Sequence, residues 1–272
     1  MQVIDSSIES ECGRLRVRSQ GSGAPLVFLH GAHGMNTWPR YLDLLAGSRR
    51  VIAPDLPGFG QSSMSATTTR VHDLARIMLD LLDSLDPTEP VDLVGHCIGG
   101  WIGLEMAMRC ARLRSLTLIN SAGVHVSGVR RGDFFIASPA ELPALLFADP
   151  LAGERYLQAE SAGEFESATF QNRQMAARLA WSPRLFDPEL AKWLCRIRVP
   201  TRVIWGEANQ ILPPPFGEAI AQRTGGTLHL IAGAGHLAHI ERAHECALAT
   251  LDQTAAEQTT DTAAALGVSR RI

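Results

Sequence analysis

Val91-Asp92-Leu93-Val94-Gly95-His96-Cys97-Ile98-Gly99-Gly100-Trp101 reads as an apolar strand, a sharp turn and the first turn of a helix. Cys97 stands at the centre of a G-x-C-x-G pattern, the spacing of a nucleophile elbow. Such a turn holds its central residue in a strained backbone conformation so that the side chain projects above a sheet. Gly95 and Gly99 omit the Cβ atoms that would clash where strand and helix nearly touch. The helix N-terminus beneath Cys97 is expected to lower its thiol pKa and favour the thiolate. A free cysteine is often only a small buried hydrophobe, so the reading depends on what surrounds the elbow. His96 is expected to be a scaffold residue pointing away from the nucleophile.

Two further motifs stand at suitable separations. Leu26-Val27-Phe28-Leu29-His30-Gly31-Ala32-His33-Gly34 is a strand ending in a Gly-rich turn, which can supply a backbone N–H to an oxyanion hole. The amides of Ala32 and Ile98 are the two expected donors. His30 is read as structural, bonding its own loop, and His33 as facing either substrate or solvent. Towards the other end, Ala232-Gly233-Ala234-Gly235-His236-Leu237 follows an apolar strand and sets His236 on a loop at the carboxyl edge of a sheet, where it suits a general base for Cys97. His239 and His244 are read as helix-surface or lid-facing residues.

Outward from these motifs, apolar runs bounded by Gly, Pro or Asp recur at Leu26–Leu29, Val51–Ala53, Val91–Val94, Leu116–Ile119, Arg202–Trp205 and Leu228–Ile231. They read as buried parallel strands. Helical patterns lie between them at Val71–Leu85 and Ile98–Met108. The fold class is therefore α/β, a mostly parallel central sheet flanked by helices, with an antiparallel hairpin over Glu9–Ser19 at its edge. The alternation stops after Ile119 and resumes at Thr201. The stretch between is helix-like at Ala140–Phe147, Tyr156–Ala162 and Phe170–Leu179, with prolines at 139, 143, 150, 183 and 188, as an inserted helical lid would be. The predicted division is a core of 1–122 and 196–254, a lid of 123–195 and a mobile tail of 255–272.

Composition narrows the function. The chain has 272 residues, 46% of them hydrophobic, and a net charge of −3 with interspersed signs, which argues against nucleic acid or a lipid surface as partner. No apolar run is long enough to span a bilayer, and the N-terminus does not read as a signal peptide. Five cysteines without pairing motifs suggest reduced thiols in the cytoplasm. No metal or organic cofactor is expected. The expected partner is a small molecule or another protein.

Together these motifs, with Asp55-Leu56-Pro57-Gly58-Phe59-Gly60-Gln61-Ser62 and Trp205-Gly206-Glu207, resemble the lid-bearing α/β-hydrolases that include meta-cleavage-product hydrolases and esterases. The resemblance implies a triad, but the family's elbow serine is Cys97 here, and Asn209 stands where its acid follows the W-G turn. In a serine triad, replacing the acid by Asn costs about four orders of magnitude. A thiol asks less, because a Cys–His pair can rest as thiolate and imidazolium with an Asn carbonyl orienting the ring. Cys97, His236 and Asn209 are thus the expected triad, with Glu207 a substitute acid and Asn120 offering no carboxylate at the alternative position. The Gly-His-Cys-Ile-Gly-Gly string also resembles the cysteine elbows of polyhydroxyalkanoate synthases and of acyl shuttles between carrier proteins. The expected activity is acyl transfer or hydrolysis on an ester or thioester. The alternatives are carbon–carbon bond hydrolysis and a non-catalytic binding protein with a degenerate triad. His33, Leu237, Phe134 and Trp181 are expected against the substrate, and Arg130 or Arg131 against a phosphopantetheine or carboxylate.

Overall fold

The computed structural model describes residues 2–10, 13–64, 68–86 and 88–252. Cys12 and the expected tail of 255–272 lie outside them. The chain opens with β1 (Ile4–Ser10) and β2 (Gly13–Gln20), an antiparallel hairpin that begins earlier than the Glu9–Ser19 stretch read from the sequence. There follow β3 (Pro25–Leu29), α1 (Arg40–Ala46), β4 (Arg50–Pro54), α2 (Val71–Ser84), β5 (Val91–His96), α3 (Ile98–Ala107) and β6 (Leu113–Ile119). The eight-stranded sheet has the order β1-β2-β4-β3-β5-β6-β7-β8, with β7 (Thr201–Gly206) and β8 (Thr227–Ile231) completing it. Every pairing from β4 to β8 is parallel; β2 joins β4 antiparallel.

The apolar strands show no polar alternation because both of their faces are covered. Period-two geometry still divides them. Val27, Leu29, Ile52, Leu93, Val203 and Trp205 enter one cluster, with α2 and α3. Leu26, Phe28, Val51, Val94 and Ile204 enter the other, with Tyr41, Leu42 and Leu45 of α1. Helix α2 forms because Val71, Leu74, Ala75, Met78, Leu81 and Leu82 recur on one face, all buried. At its start the Asp73 carboxylate accepts the Thr69 and Arg70 amides, each at 3.0 Å.

The stretch between β6 and β7 carries α4 (Leu142–Leu146), α5 (Pro150–Ser161) and α6 (Glu166–Ala180). Pro150 starts α5 at the position where a missing N–H costs nothing, and the Asp149 carboxylate caps the Leu151 and Ala152 amides. After β7 come α7 (Pro214–Thr224), α8 (Ala238–Glu241) and α9 (Ala243–Leu251). This inserted stretch, the expected lid, is stitched to the loops at the carboxyl edge of the sheet. Glu160 accepts the Asn36 and Thr37 amides at 3.1 Å each, and Asn172 joins His33 O at 2.8 Å to Gly60 N at 2.9 Å. On the far side Glu241 accepts Ala148 N at 2.8 Å and Gly235 N at 2.6 Å.

Candidate active site

Cys97 links β5 to α3 at φ 52° and ψ −114°, outside the usual wells for a residue with a side chain. The two glycines beside it are required by contact. A Cβ on Gly95 would lie 2.3 Å from Gly99 O, and one on Gly99 would lie 2.1 Å from Leu29 O. The elbow is therefore pressed between the helix start and β3, which leads into the expected oxyanion loop. The backbone amides of Ala32 and Ile98 act on the Cys97 thiol, each pulling its pKa down, so the two expected donors lie on the side of the expected nucleophile.

The expected thiolate is corrected by the structure. Cys97 is 2% exposed, and burial pushes its thiol up to about 12 against the opposing pull of the two amides. The removal of water outweighs the helix N-terminus. His236 is likewise buried, and desolvation, with smaller contributions from His96, His33 and His239, holds its pKa well below the ordinary imidazole range. Both shifts favour the uncharged form, thiol at Cys97 and imidazole at His236.

Asn209 reaches the expected base, His236: its Oδ1 lies 3.2 Å from His236 Nδ1 and accepts Leu212 N at 3.0 Å. The Leu212 donor fixes which way the carboxamide points. Accepting also from the imidazole puts the proton on Nδ1 and leaves Nε2 as the basic nitrogen. Asn209 Nδ2 is buried with no partner. Glu207 is exposed and does not take the acid's place.

Asn120 has a role the sequence did not disclose. Fully buried at φ 45°, it donates from Nδ2 to Gly235 O at 3.1 Å and His236 O at 2.8 Å, and accepts Gly206 N at 3.0 Å. It clamps the ends of β6 and β7 to the histidine loop. Its only signal in the sequence is an Asn, a residue tolerant of positive φ, at a strand's end. His96 is a scaffold residue, with Nε2 2.9 Å from His236 O. His30 bonds Gly31 O at 2.8 Å through Nδ1 and accepts Leu56 N at 2.9 Å. His239 departs from the surface reading but not from the lid-facing one: it is 5% exposed, its ring 4.4 Å from that of His96 and 5.8 Å from those of Phe28 and Tyr41, and it lines a cavity with Tyr156 and Glu160 of the inserted stretch. The period of α8 was too short in the sequence to reveal which way it faces.

The residues expected against the substrate separate. His33 and Leu237 line a small cavity beside the elbow. Phe134 is buried with its ring 5.6 Å from that of His33. Trp181 is not brought there: it is 47% exposed, with the Arg184 guanidinium 3.9 Å over its ring. Arg131 packs on Phe186 at 5.5 Å. Among the described residues no cluster of three or more His, Cys, Asp or Glu side chains is arranged to hold a metal, and no helix is long and apolar enough to cross a membrane.

The alpha/beta hydrolase family model matches residues 26–249. The chain belongs to this family. It is 34% identical over 249 residues to 2-hydroxymuconate semialdehyde hydrolase of Pseudomonas sp. strain CF600, covering 85% of this chain and 86% of that protein. It is 31% identical over 249 residues to the dihydrolipoyllysine-residue acetyltransferase component of the acetoin cleaving system of Cupriavidus necator, covering 85% of this chain but only 64% of that protein. Among solved structures, 2-hydroxy-6-oxo-6-phenylhexa-2,4-dienoate hydrolase from Rhodococcus sp. strain RHA1 superposes with a TM-score of 0.72 at 22% identity, over 90% of this chain and 96% of that one. That likeness concerns the fold.

Proposed function

We propose that the protein is an acyl-transfer enzyme, a hydrolase or acyltransferase acting on an ester or thioester through an acyl-enzyme on Cys97. The observation that carries this reading is the elbow itself, Cys97 held at φ 52° where β5 passes into α3 with Gly99 pressed against the end of β3; the Ala32 and Ile98 amides that act on its thiol suit an oxyanion formed on an acyl carbon. His236 Nε2 takes the thiol proton as Sγ bonds to the acyl carbon. The tetrahedral oxyanion is held by the two amides, and its collapse breaks the bond to the alkoxide or thiolate leaving group, which receives the proton from His236. Asn209 keeps the imidazole in the required tautomer, and Asn120 holds its loop. His33, Phe134 and Leu237 border the acyl group. The acyl donor is a small molecule or a group on a carrier protein, and the buried thiol suits the reducing cytoplasm.

Intact mass after exposure to acyl-thioesters, including N-acetylcysteamine and carrier-protein forms, tests this. An adduct on the wild type that is lost in Cys97→Ala supports it; no adduct across the panel removes it. The similarity to 2-hydroxymuconate semialdehyde hydrolase favours a second reading, carbon–carbon bond hydrolysis. Turnover of 2-hydroxymuconate semialdehyde with no reaction towards thioesters would select that reading.

A further inference from the structure

The stretch Asp55-Leu56-Pro57-Gly58-Phe59-Gly60-Gln61-Ser62 takes no part in the acyl-transfer steps, yet it is folded around one buried carboxylate. Asp55 is 1% exposed. Its Oδ2 accepts Gln61 N at 3.0 Å, its backbone carbonyl accepts Ser62 Oγ at 2.6 Å, and a Cβ on Gly60 would lie 2.3 Å from Oδ2. The other carboxylate oxygen, Oδ1, accepts Arg18 Nη2 at 3.1 Å. Arg18 stands on β2 and is 5% exposed. It directs its remaining contacts to the chain just past Ala32: Nη1 donates to Asn36 O at 3.2 Å, and Nη2 donates also to Met35 O. A buried ion pair is weak as a source of stability, because the cost of desolvating both charges offsets their attraction. Its placement is the informative property. The loop that carries the expected donor Ala32 is fixed at both ends. At its start a Cβ on Gly31 would lie 3.0 Å from Cys97 Cβ and 2.5 Å from His96 Nδ1, and Gly34 N closes a turn on Gly31 O at 3.0 Å. At its end the guanidinium grips two successive carbonyls. Asn172 and Glu160 also bond this loop, at His33 O and Asn36 N, but both belong to the inserted stretch, whereas Arg18 belongs to the sheet.

Resting on the acyl-enzyme reading, we infer that Arg18, held by Asp55, is a positioning residue for the oxyanion hole, fixing the Ala32 loop against the elbow from the sheet side and independently of the lid. The oxyanion exists only beyond the ground state, so a donor out of place lowers the rate of reaction and leaves substrate binding as it was. Geometry of this kind is unforgiving: a displacement of about 1 Å can cost about a hundredfold in rate. The planar fork of an arginine, with donors in a fixed relation, suits the task of holding two neighbouring carbonyls and a carboxylate at once.

The test uses Arg18→Lys in the full chain, which keeps a charge opposite Asp55 but replaces the fork by a single ammonium. Formation of the Cys97 adduct from an acyl-N-acetylcysteamine is followed by intact mass over a range of donor concentrations. The maximal rate should fall about tenfold or more, at an unchanged half-saturating concentration. A trifluoromethyl ketone bearing the same acyl chain gives a second readout. Sγ bonds to its carbonyl carbon, the thiol proton passes to His236, and the ketone oxygen becomes the oxyanion, so its affinity should fall by the same factor. A residue that served stability alone would lower the urea midpoint and move neither readout in the folded protein. Should Arg18→Lys not fold, the double variant Arg18→Gln with Asp55→Asn, which leaves no buried charge unpaired, carries the same expectation. A folded variant that acylates at the wild-type maximal rate, or loses rate with its ketone affinity intact, would overturn the role of Arg18 while leaving the acyl-enzyme standing. A wild type that forms no adduct with either reagent would overturn both.

Discussion

The Asn209 carboxamide gathers two donors on one oxygen and leaves its nitrogen buried and unpaired. A carboxylate in the same place would keep both donors and add charge opposite the imidazolium that forms when His236 takes the thiol proton. Asn209→Asp is therefore expected to raise the acylation rate by at least about tenfold and to move the acid limb of its pH profile upward, since a neighbouring negative charge raises an imidazole pKa. Unchanged acylation in this variant, measured by adduct formation in a single turnover, would mean that Asn209 does not orient the base. The wild-type profile has its own signature. The competent form has a neutral imidazole, and burial lowers the His236 pKa, so activity falls only at a pH below the ordinary histidine range. Burial holds the Cys97 thiol at about 12, so no thiolate limb appears near neutrality. Acylation should stay level from neutral pH into the alkaline range; a bell centred near neutrality would point to a resting ion pair instead.

At the scale of elements, the tightest constraint is where α3 meets β3. Gly99→Ala would set a methyl 2.1 Å from Leu29 O and 2.6 Å from His30 O, backbone atoms at the end of β3 and the start of the loop that follows it. Neither can yield without moving the sheet, so the substitution should cost more than about 3 kcal/mol in urea unfolding, beyond the usual range for overpacking. These elements were legible in the sequence because their signals are local: apolar runs for the strands, Gly spacing for the elbow, an apolar stripe for α2. The lid helices were visible as patterns, although Pro150 proved to start a helix rather than interrupt one. What the sequence did not reveal depends on contacts between distant segments. Asn120, Asn172, Glu160 and Glu241 gain their roles from partners far along the chain, and no spacing rule connects them. The state of Cys97 was misjudged for the same reason: a helix start can be read locally, whereas the burial that overrides it is a property of the assembled lid and core.

For the whole molecule, the gathering of imidazoles under the lid sets its response to acid. His30, His33, His96, His236 and His239 all have pKa values lowered by burial. The unfolded chain binds protons on these side chains near pH 6.5 while the folded one does not, so stability is full above that value and falls as pH drops below it. Each histidine contributes a slope of up to about 1.4 kcal/mol per pH unit until its folded pKa is reached. Urea midpoints should therefore drop steeply between about pH 6.5 and pH 5, and His239→Phe should make the drop shallower. An unchanged midpoint over that interval would mean that these rings are hydrated in solution.

The stitching of the lid through Glu160, Asn172 and Glu241 has a kinetic counterpart. With Cys97 only 2% exposed, an alkylating reagent is expected to meet it only during openings of the fold, of which the parting of those bonds is the one to test, whereas the exposed Cys195 reacts without waiting. The ratio of the two alkylation rates then behaves as protection does in hydrogen exchange: it reads the opening equilibrium of the roof over the nucleophile, with the second thiol of the same chain as its internal clock. Glu160→Gln, by loosening one stitch, should shorten the wait at Cys97 and leave Cys195 untouched.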